Sequence, residues 1–296
     1  MRTPLRSYLF IPGDSDKKLA KGAESGADAL ILDLEDAVAP AQKADARKRV
    51  ADYIGARDRS ARQRLYVRIN PLASGLALDD LAAVMPAAPD GVMLPKPDGP
   101  ADAQRLSHYL DAFEAAGGAK VGATEIVPVA TETAIAPFRL ADYAGAGLAR
   151  LAGLTWGAED LSAALGASTN RDEGGGFALI YRMARALTLL AAHAAGVAAI
   201  DTLYADFRDE AGLAAASKAA RAEGFNGRLA IHPSQVRAIN EGFTPSAADV
   251  AAARRIVEAF AAAPDAGAIG LDGRMLDMPH LKQAERTLAQ AAAFLG

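Results

Sequence analysis

A chain of 296 residues, 51% hydrophobic and 23% charged, has the composition of an ordinary globular protein. Its formal charge of −4 offers no concentrated positive surface for a nucleic-acid partner. The absence of cysteine excludes disulfides, thiolate metal sites and a cysteine nucleophile, and fits a cytoplasmic protein.

The chain opens with Arg2 and Arg6 beside an apolar run, 8–11, too short for a signal peptide. Short, continuous apolar runs then alternate with longer alanine-rich segments. Strands are predicted at 7–11, 29–32, 65–69, 91–94, 125–129, 151–156, 198–204 and 228–231. Continuous apolar strands suit parallel pairing with both faces covered. Helices are predicted between them, among others at 16–25, 43–54, 101–116, 177–195 and 210–222, with Gly26, Gly117 and Gly196 as C-terminal caps. The apolar stretch 183–200 contains Arg185, His193 and Gly196, so it reads as a packed helix followed by a strand and not as a membrane span, which needs about 20 apolar residues. Eight strand–helix units in series predict a (β/α)8 TIM barrel, with a doubly wound open sheet as the alternative. Barrel and tail divide at 1–240 and 241–296. The tail is predicted as a helix at 246–263 capped by Ser246, a glycine-rich turn (Gly267, Gly270, Gly273) leading to 275–279, and a final helix at 281–294: a helical extension that packs on the barrel or on a neighbouring subunit.

Barrel enzymes build their sites at the carboxyl ends of the strands. There the sequence places Pro12-Gly13-Asp14, Asp33-Leu34-Glu35-Asp36, Arg68-Ile69-Asn70, Pro95-Lys96, Glu132, Glu159-Asp160, Asp206 and His232-Pro233. Several carboxylates near a cation suit Mg²⁺, which takes one or two carboxylates and leaves positions for water and substrate. Glu132 and Asp160 are the best-placed pair. Each has a second reading: Glu132 as a carboxylate at a helix N-terminus, Asp160 as an N-cap. Arg68, inside an apolar run, needs an anionic partner, either Glu35 or Asp36 or a substrate. The Asp33–Glu35–Asp36 cluster either coordinates metal through water, orients Arg68, or pairs with Lys43 and Arg47. Gly174-Gly175-Gly176 reads as a loop or a cradle for pantetheine or phosphate, and His232 as a structural histidine or a proton carrier. His108, His193 and His280 fall in helical contexts. Lys96 leaves a Schiff-base aldolase open but unsupported. No Walker A loop, Gly-x-Ser-x-Gly elbow, zinc helix or dinucleotide fingerprint occurs.

Ser7-Tyr8-Leu9-Phe10-Ile11-Pro12-Gly13 with Lys21, Leu32-Asp33-Leu34-Glu35-Asp36-Ala37-Val38 with Lys43 and Ala46-Arg47, and Val67-Arg68-Ile69-Asn70 resemble the HpcH/HpaI aldolase and citrate lyase β-subunit superfamily. So do Leu94-Pro95-Lys96, Glu132-Thr133, Gly157-Ala158-Glu159-Asp160-Leu161, Ala230-Ile231-His232-Pro233 and Gly273-Arg274-Met275-Leu276-Asp277. The resemblance implies Glu132 and Asp160 as Mg²⁺ ligands, with Arg68, beside Glu132, binding the carboxylate or keto oxygen of a small acid. It implies Asp277 as a proton donor reaching the site of a neighbouring subunit in a homo-oligomer, trimer or hexamer. Glu35 and Asp36 are kept as further catalytic candidates. The implied reaction is a reversible Claisen-type cleavage of a malyl-, citramalyl- or citryl-CoA-type thioester to an acetyl thioester and a small keto acid. The alternatives are a citrate lyase subunit working on an acyl-carrier protein, a free-acid aldolase, and a malyl-CoA thioesterase or malate synthase. Lys17, Lys18 and Lys21 either meet CoA phosphates or form a solvated helix face.

Overall fold

In a computed structural model, residues 4–58 and 60–295 are described. Each predicted strand forms, the fifth, sixth and seventh shorter than expected and the others within a residue at each end. The first half runs β1 (Ser7–Pro12), α1 (Asp16–Ala23), β2 (Ala29–Asp33), α2 (Lys43–Gly55), β3 (Arg64–Arg68), α3 (Ala77–Val84), β4 (Gly91–Leu94) and α4 (Pro100–Ala116). It continues with β5 (Glu125–Pro128), a 3-10 helix at Ala136–Gly145, β6 (Gly153–Thr155), α5 (Ala158–Ala164), α6 (Leu179–Ala194) and β7 (Ala198–Asp201). Then come α7 (Glu210–Glu223), β8 (Gly227–Ala230), α8 (Gln235–Phe243) and α9 (Ala247–Ala261). The strands pair in parallel in the order β5-β4-β3-β2-β1-β8-β7-β6. Parallel bridges Ile126–Leu151 and Val129–Thr155 join the two outer strands and close the sheet. This is a (β/α)8 barrel, and closure removes the open-sheet alternative.

Strand parity organises the interior. Side chains alternate across each strand, so Tyr8, Ala29, Ile31, Tyr66, Met93, Val127, Val129, Ile200 and Leu229 fill the barrel. Their odd-and-even partners, such as Leu9, Leu30, Leu32, Val67, Val92 and Leu154, pack beneath the helices. The inward rows end at the carboxyl mouth: Tyr8 leads to Phe10, Ile31 to Asp33, Tyr66 to Arg68, and Leu229 to Ile231. At the opposite end Tyr66 donates to Glu125. Burial is the main reason that the Tyr8 and Tyr66 phenols are pushed far above their ordinary range, and Glu125 adds to it.

Two expectations are corrected. The seventh strand stops at Asp201, three residues before 204, so Asp201 and not Asp206 ends it. Asp201 points outward, accepts from Trp156 Nε1 at 2.8 Å, and pairs with Arg185 of α6 and Arg228 of β8. The glycine-rich turn of the tail is a β-hairpin, β9 (Ala268–Leu271) with β10 (Arg274–Asp277), followed by α10 (Met278–Leu295). Its two-residue connection is Asp272-Gly273, with φ of 51° and 74°, the left-handed pair such a tight turn needs. The stretch 183–200 is α6 leading into β7, and no helix among the described residues is long and apolar enough to cross a membrane.

Candidate active site

The inward rows converge on a cavity of about 260 Å³ at the carboxyl mouth. Phe10, Val129, Trp156, Leu203, Leu229 and Ile231 give it apolar walls, while Asp33, Arg68, Glu132, Glu159 and Asp160 bring charge.

Arg68 and Asp33 are neighbours in the register of β3 and β2. That pairing sets their geometry. Arg68 Nε and Nη2 donate to the two Asp33 carboxylate oxygens at 2.8 and 2.6 Å, a fork-to-fork pair. Nη1 lies 2.9 Å from Glu35 Oε2, and the guanidinium stacks 4.8 Å from the Phe10 ring centre. Asp33 and Glu35 are 1% and 3% exposed, buried charges offset by this cation, with backbone N–H donors for Asp33 and Lys96 for Glu35. Burial disfavours the charged Arg68, yet Asp33, Glu35 and Glu132 outweigh it and hold the guanidinium protonated. Burial likewise raises Glu35, against the pull of Arg68 and Lys96.

Glu132 follows β5 and sits in irregular backbone, not at a helix N-terminus; Asp160 lies within the first turn of α5, whose cap position is Gly157, so neither alternative reading holds. Lys96 N donates to Glu132 Oε2 at 2.7 Å. A Cβ on Gly157 would lie 2.8 Å from Glu132 Oε1, so the glycine makes room for this carboxylate. Burial lifts the Glu132 carboxyl well above the usual carboxylate range; nearby Asp160 and Glu35 add to that, against the Lys96 N–H and Arg68. A buried carboxylate repelled by a second one is what a divalent cation relieves. Among the described residues no group of three or more carboxylates or histidines is arranged to hold a metal ion by itself. A pair of carboxylates open to substrate oxygens nevertheless suits Mg²⁺, which seldom uses an all-protein cage. The residues therefore fit the metal.

Lys96 ties the acids together. Its ammonium bonds Glu35 and lies 3.0 Å from Asp36 Oδ2 and 3.2 Å from Asp160 Oδ1. Asp36 is otherwise 60% exposed. Lys43 and Arg47 do not meet the carboxylates of the Asp33–Asp36 cluster. Lys43 donates to the Leu34 and Glu35 carbonyls, and Arg47 pairs with Asp80. Asp277 is not among the residues lining the cavity; it ends β10, with Oδ1 2.5 Å from His280 Nδ1. His232 is held by Ser234 Oγ at 2.7 Å and stacks on Phe207 at 4.9 Å. In the Gly174–Gly176 loop, the Gly174 and Gly176 N–H groups turn back onto Asp172.

Sequence reading missed two things: Asp33 as the main partner of Arg68, and the central position of Lys96. The first was findable, because both residues end adjacent strands on inward parity. The second depends on a left-handed backbone (φ 51°) that no sequence pattern announces.

The family model described as HpcH/HpaI aldolase/citrate lyase matches residues 6–233. The chain belongs to this family. Among other members, the rat mitochondrial citramalyl-CoA lyase is 34% identical over 300 residues, covering 98% of this chain and 87% of that protein. A (3S)-malyl-CoA thioesterase of Cereibacter sphaeroides is 33% identical over 294 residues, covering 98% and 95%. The CitE protein of Mycobacterium tuberculosis, solved with magnesium, acetoacetate and coenzyme A, matches with a TM-score of 0.82 at 34% identity, over 99% of this chain and all of that one.

Proposed function

We propose that this chain is a Mg²⁺-dependent carbon–carbon lyase that cleaves a hydroxy-acyl-CoA thioester, its hydroxyl β to the thioester carbonyl and on the carbon that bears the carboxylate, to acetyl-CoA and a small keto acid. The observation that carries it is the buried Arg68, in register with Asp33, facing the same cavity as Glu132 and Asp160. Full-length similarity to a citramalyl-CoA lyase and to CitE bound to magnesium and coenzyme A supports the reaction class.

Glu132 and Asp160 would hold the metal. Bound Mg²⁺ supplies Lewis acidity for the substrate hydroxyl and the carbonyl oxygen it becomes. Arg68 uses Nε and one Nη2 donor on Asp33, while Nη1 forms an ion pair with Glu35, which leaves donors on both Nη atoms for the substrate carboxylate. Anchored at both edges, the guanidinium is preorganised and loses little freedom on binding. Phe10, Val129, Trp156 and Leu229 keep water from the acetyl thioester enolate that leaves. The hydroxyl proton passes to a base as the carbon–carbon bond breaks, and the enolate takes a proton from Asp277 of a neighbouring copy; the chain's own Asp277 does not line its cavity. Glu35 and Asp36 act by holding Arg68 and Lys96 and not by touching substrate.

A homo-oligomer is part of the proposal. Leu179, Met183, Leu187 and Leu190 form one stripe of α6 and are exposed, as is Phe138 nearby in the chain's fold at 84%; such apolar surface marks protein contacts. A cytoplasmic location, expected from the sequence, is likewise proposed. The thioesterase relative favours one second reading, hydrolysis of a malyl-type thioester to free CoA. Turnover of CoA thioesters by the native protein and by Asp160→Ala tests the metal reading. Loss of all Mg²⁺-dependent turnover is expected, and an Asp160→Ala variant as active as the native protein refutes it.

A further inference from the structure

Lys96 touches Glu35, Asp36, Glu132 and Asp160, and the reaction set out above gives it no part in the chemistry. Its backbone takes the left-handed conformation that side chains other than glycine rarely adopt and that persists only where the surroundings enforce it. That conformation turns both ends of the residue inward. The N–H holds Glu132, and the ammonium holds Glu35, Asp36 and Asp160. The ammonium cannot leave without stripping Glu35, 3% exposed, of one of its two cationic partners.

Resting on the assignment of Glu132 and Asp160 to the metal, we propose that the Lys96 ammonium is a tethered counter-cation that shares Asp160 with the divalent ion. Mg²⁺ then binds weakly to the protein alone and firmly only together with the keto or hydroxy acid. The physical reason is charge. A divalent ion bound by Asp160 lies within a few ångströms of a fixed positive charge, in surroundings where such repulsion is poorly screened. A substrate carboxylate held by Arg68 brings a negative charge and further oxygen ligands, which offset that repulsion. Lys96 is thus a positioning residue that couples metal affinity to substrate affinity, and such coupling is reciprocal.

Mn²⁺ titration followed by electron paramagnetic resonance, with and without pyruvate as the small keto acid, tests this without turnover. Lys96→Met keeps the chain length and the backbone bond to Glu132 but removes the charge. It is expected to bind Mn²⁺ alone about tenfold more tightly than the native protein and to lose most of the enhancement by pyruvate. Lys96→Arg, which keeps the charge, is expected to stay within about threefold of the native affinity. If Lys96→Met does not fold, Lys96→Gln carries the same expectation. A neutral variant that binds Mn²⁺ no more tightly than the native protein overturns the proposal while leaving the metal site standing. Native protein that binds no Mn²⁺ even with pyruvate overturns the metal assignment and this inference with it.

Discussion

A hydrogen atom at position 157 governs where the Glu132 carboxylate can lie. Gly157 has φ −120° and ψ 115°, a conformation open to any residue, so its role is spatial and not conformational. An added methyl would meet Glu132 Oε1 at 2.8 Å and Cγ at 3.0 Å. Glu132 cannot yield easily, because its other oxygen is held by Lys96 N at 2.7 Å. We expect Gly157→Ala to fold, with a melting temperature close to native, and to lose turnover by about 10²-fold, as a misplacement near 1 Å does in a preorganised site. Steady-state kinetics beside a melting curve checks this; native kcat/KM would show that the carboxylate has room to spare. The same scale explains why Arg68 is not replaceable by lysine, since an ammonium cannot satisfy both oxygens of Asp33 and one of Glu35 in a plane.

At the scale of elements, α4 is tied to the β5 and β6 strands by Glu114, itself 2% exposed. Its carboxylate accepts from Gly122 N, Thr124 N and both Nη atoms of Arg150, which lies just before β6. Burial works against ionisation, but these donors win and hold the carboxyl down to about 2, against an ordinary 4.5. A depressed folded value means stability present above the unfolded pKa and lost as pH falls through the folded one. The difference corresponds to on the order of 3 kcal/mol at neutral pH, removed between about pH 5 and pH 2. Glu114→Gln should melt lower at pH 7 and show a shallower stability loss over that acid range. Parallel acid-unfolding curves for the two proteins would contradict it.

The order and number of the eight barrel strands were legible because each apolar run is continuous and most are followed by a helix-forming segment. Parity along the strands was enough to place Asp33 and Arg68 inward, but it was not applied to them. Strand ends were less legible: the run 198–204 stays largely apolar past the last paired residue, so hydrophobicity overstated β7 and hid Asp201. Three-dimensional pairing decides such limits, and sequence does not display it. The β9–β10 hairpin had a readable signal in Asp272-Gly273, overlooked because its flanking residues are exposed and weakly patterned. The Lys96 hub was not legible at all, since it brings together residues from the ends of β2, β4, β5 and β6.

For the whole molecule, the decisive relation is between barrel and tail. The tail packs chiefly on itself, α10 against α9, and reaches the barrel through contacts such as Arg221–Asp249 and the stacking of Arg6 on Phe294 at 4.4 Å. If Asp277 serves a neighbour's cavity, two variants that are each inactive can repair one another. Co-expressing Asp160→Ala with Asp277→Ala should restore activity at roughly one site in four under random cyclic assembly. Activity no higher than either variant alone would place the proton donor elsewhere.

Product analysis reads the reaction itself. Malyl-CoA, citramalyl-CoA and citryl-CoA would each be incubated with the protein, with Mg²⁺ and with excess chelator, and acetyl-CoA, free CoA and keto acids quantified. Acetyl-CoA and one keto acid are expected in equal amounts from at least one ester, abolished by the chelator. Free CoA released without any keto acid, or cleavage that survives the chelator, would contradict the proposed reaction.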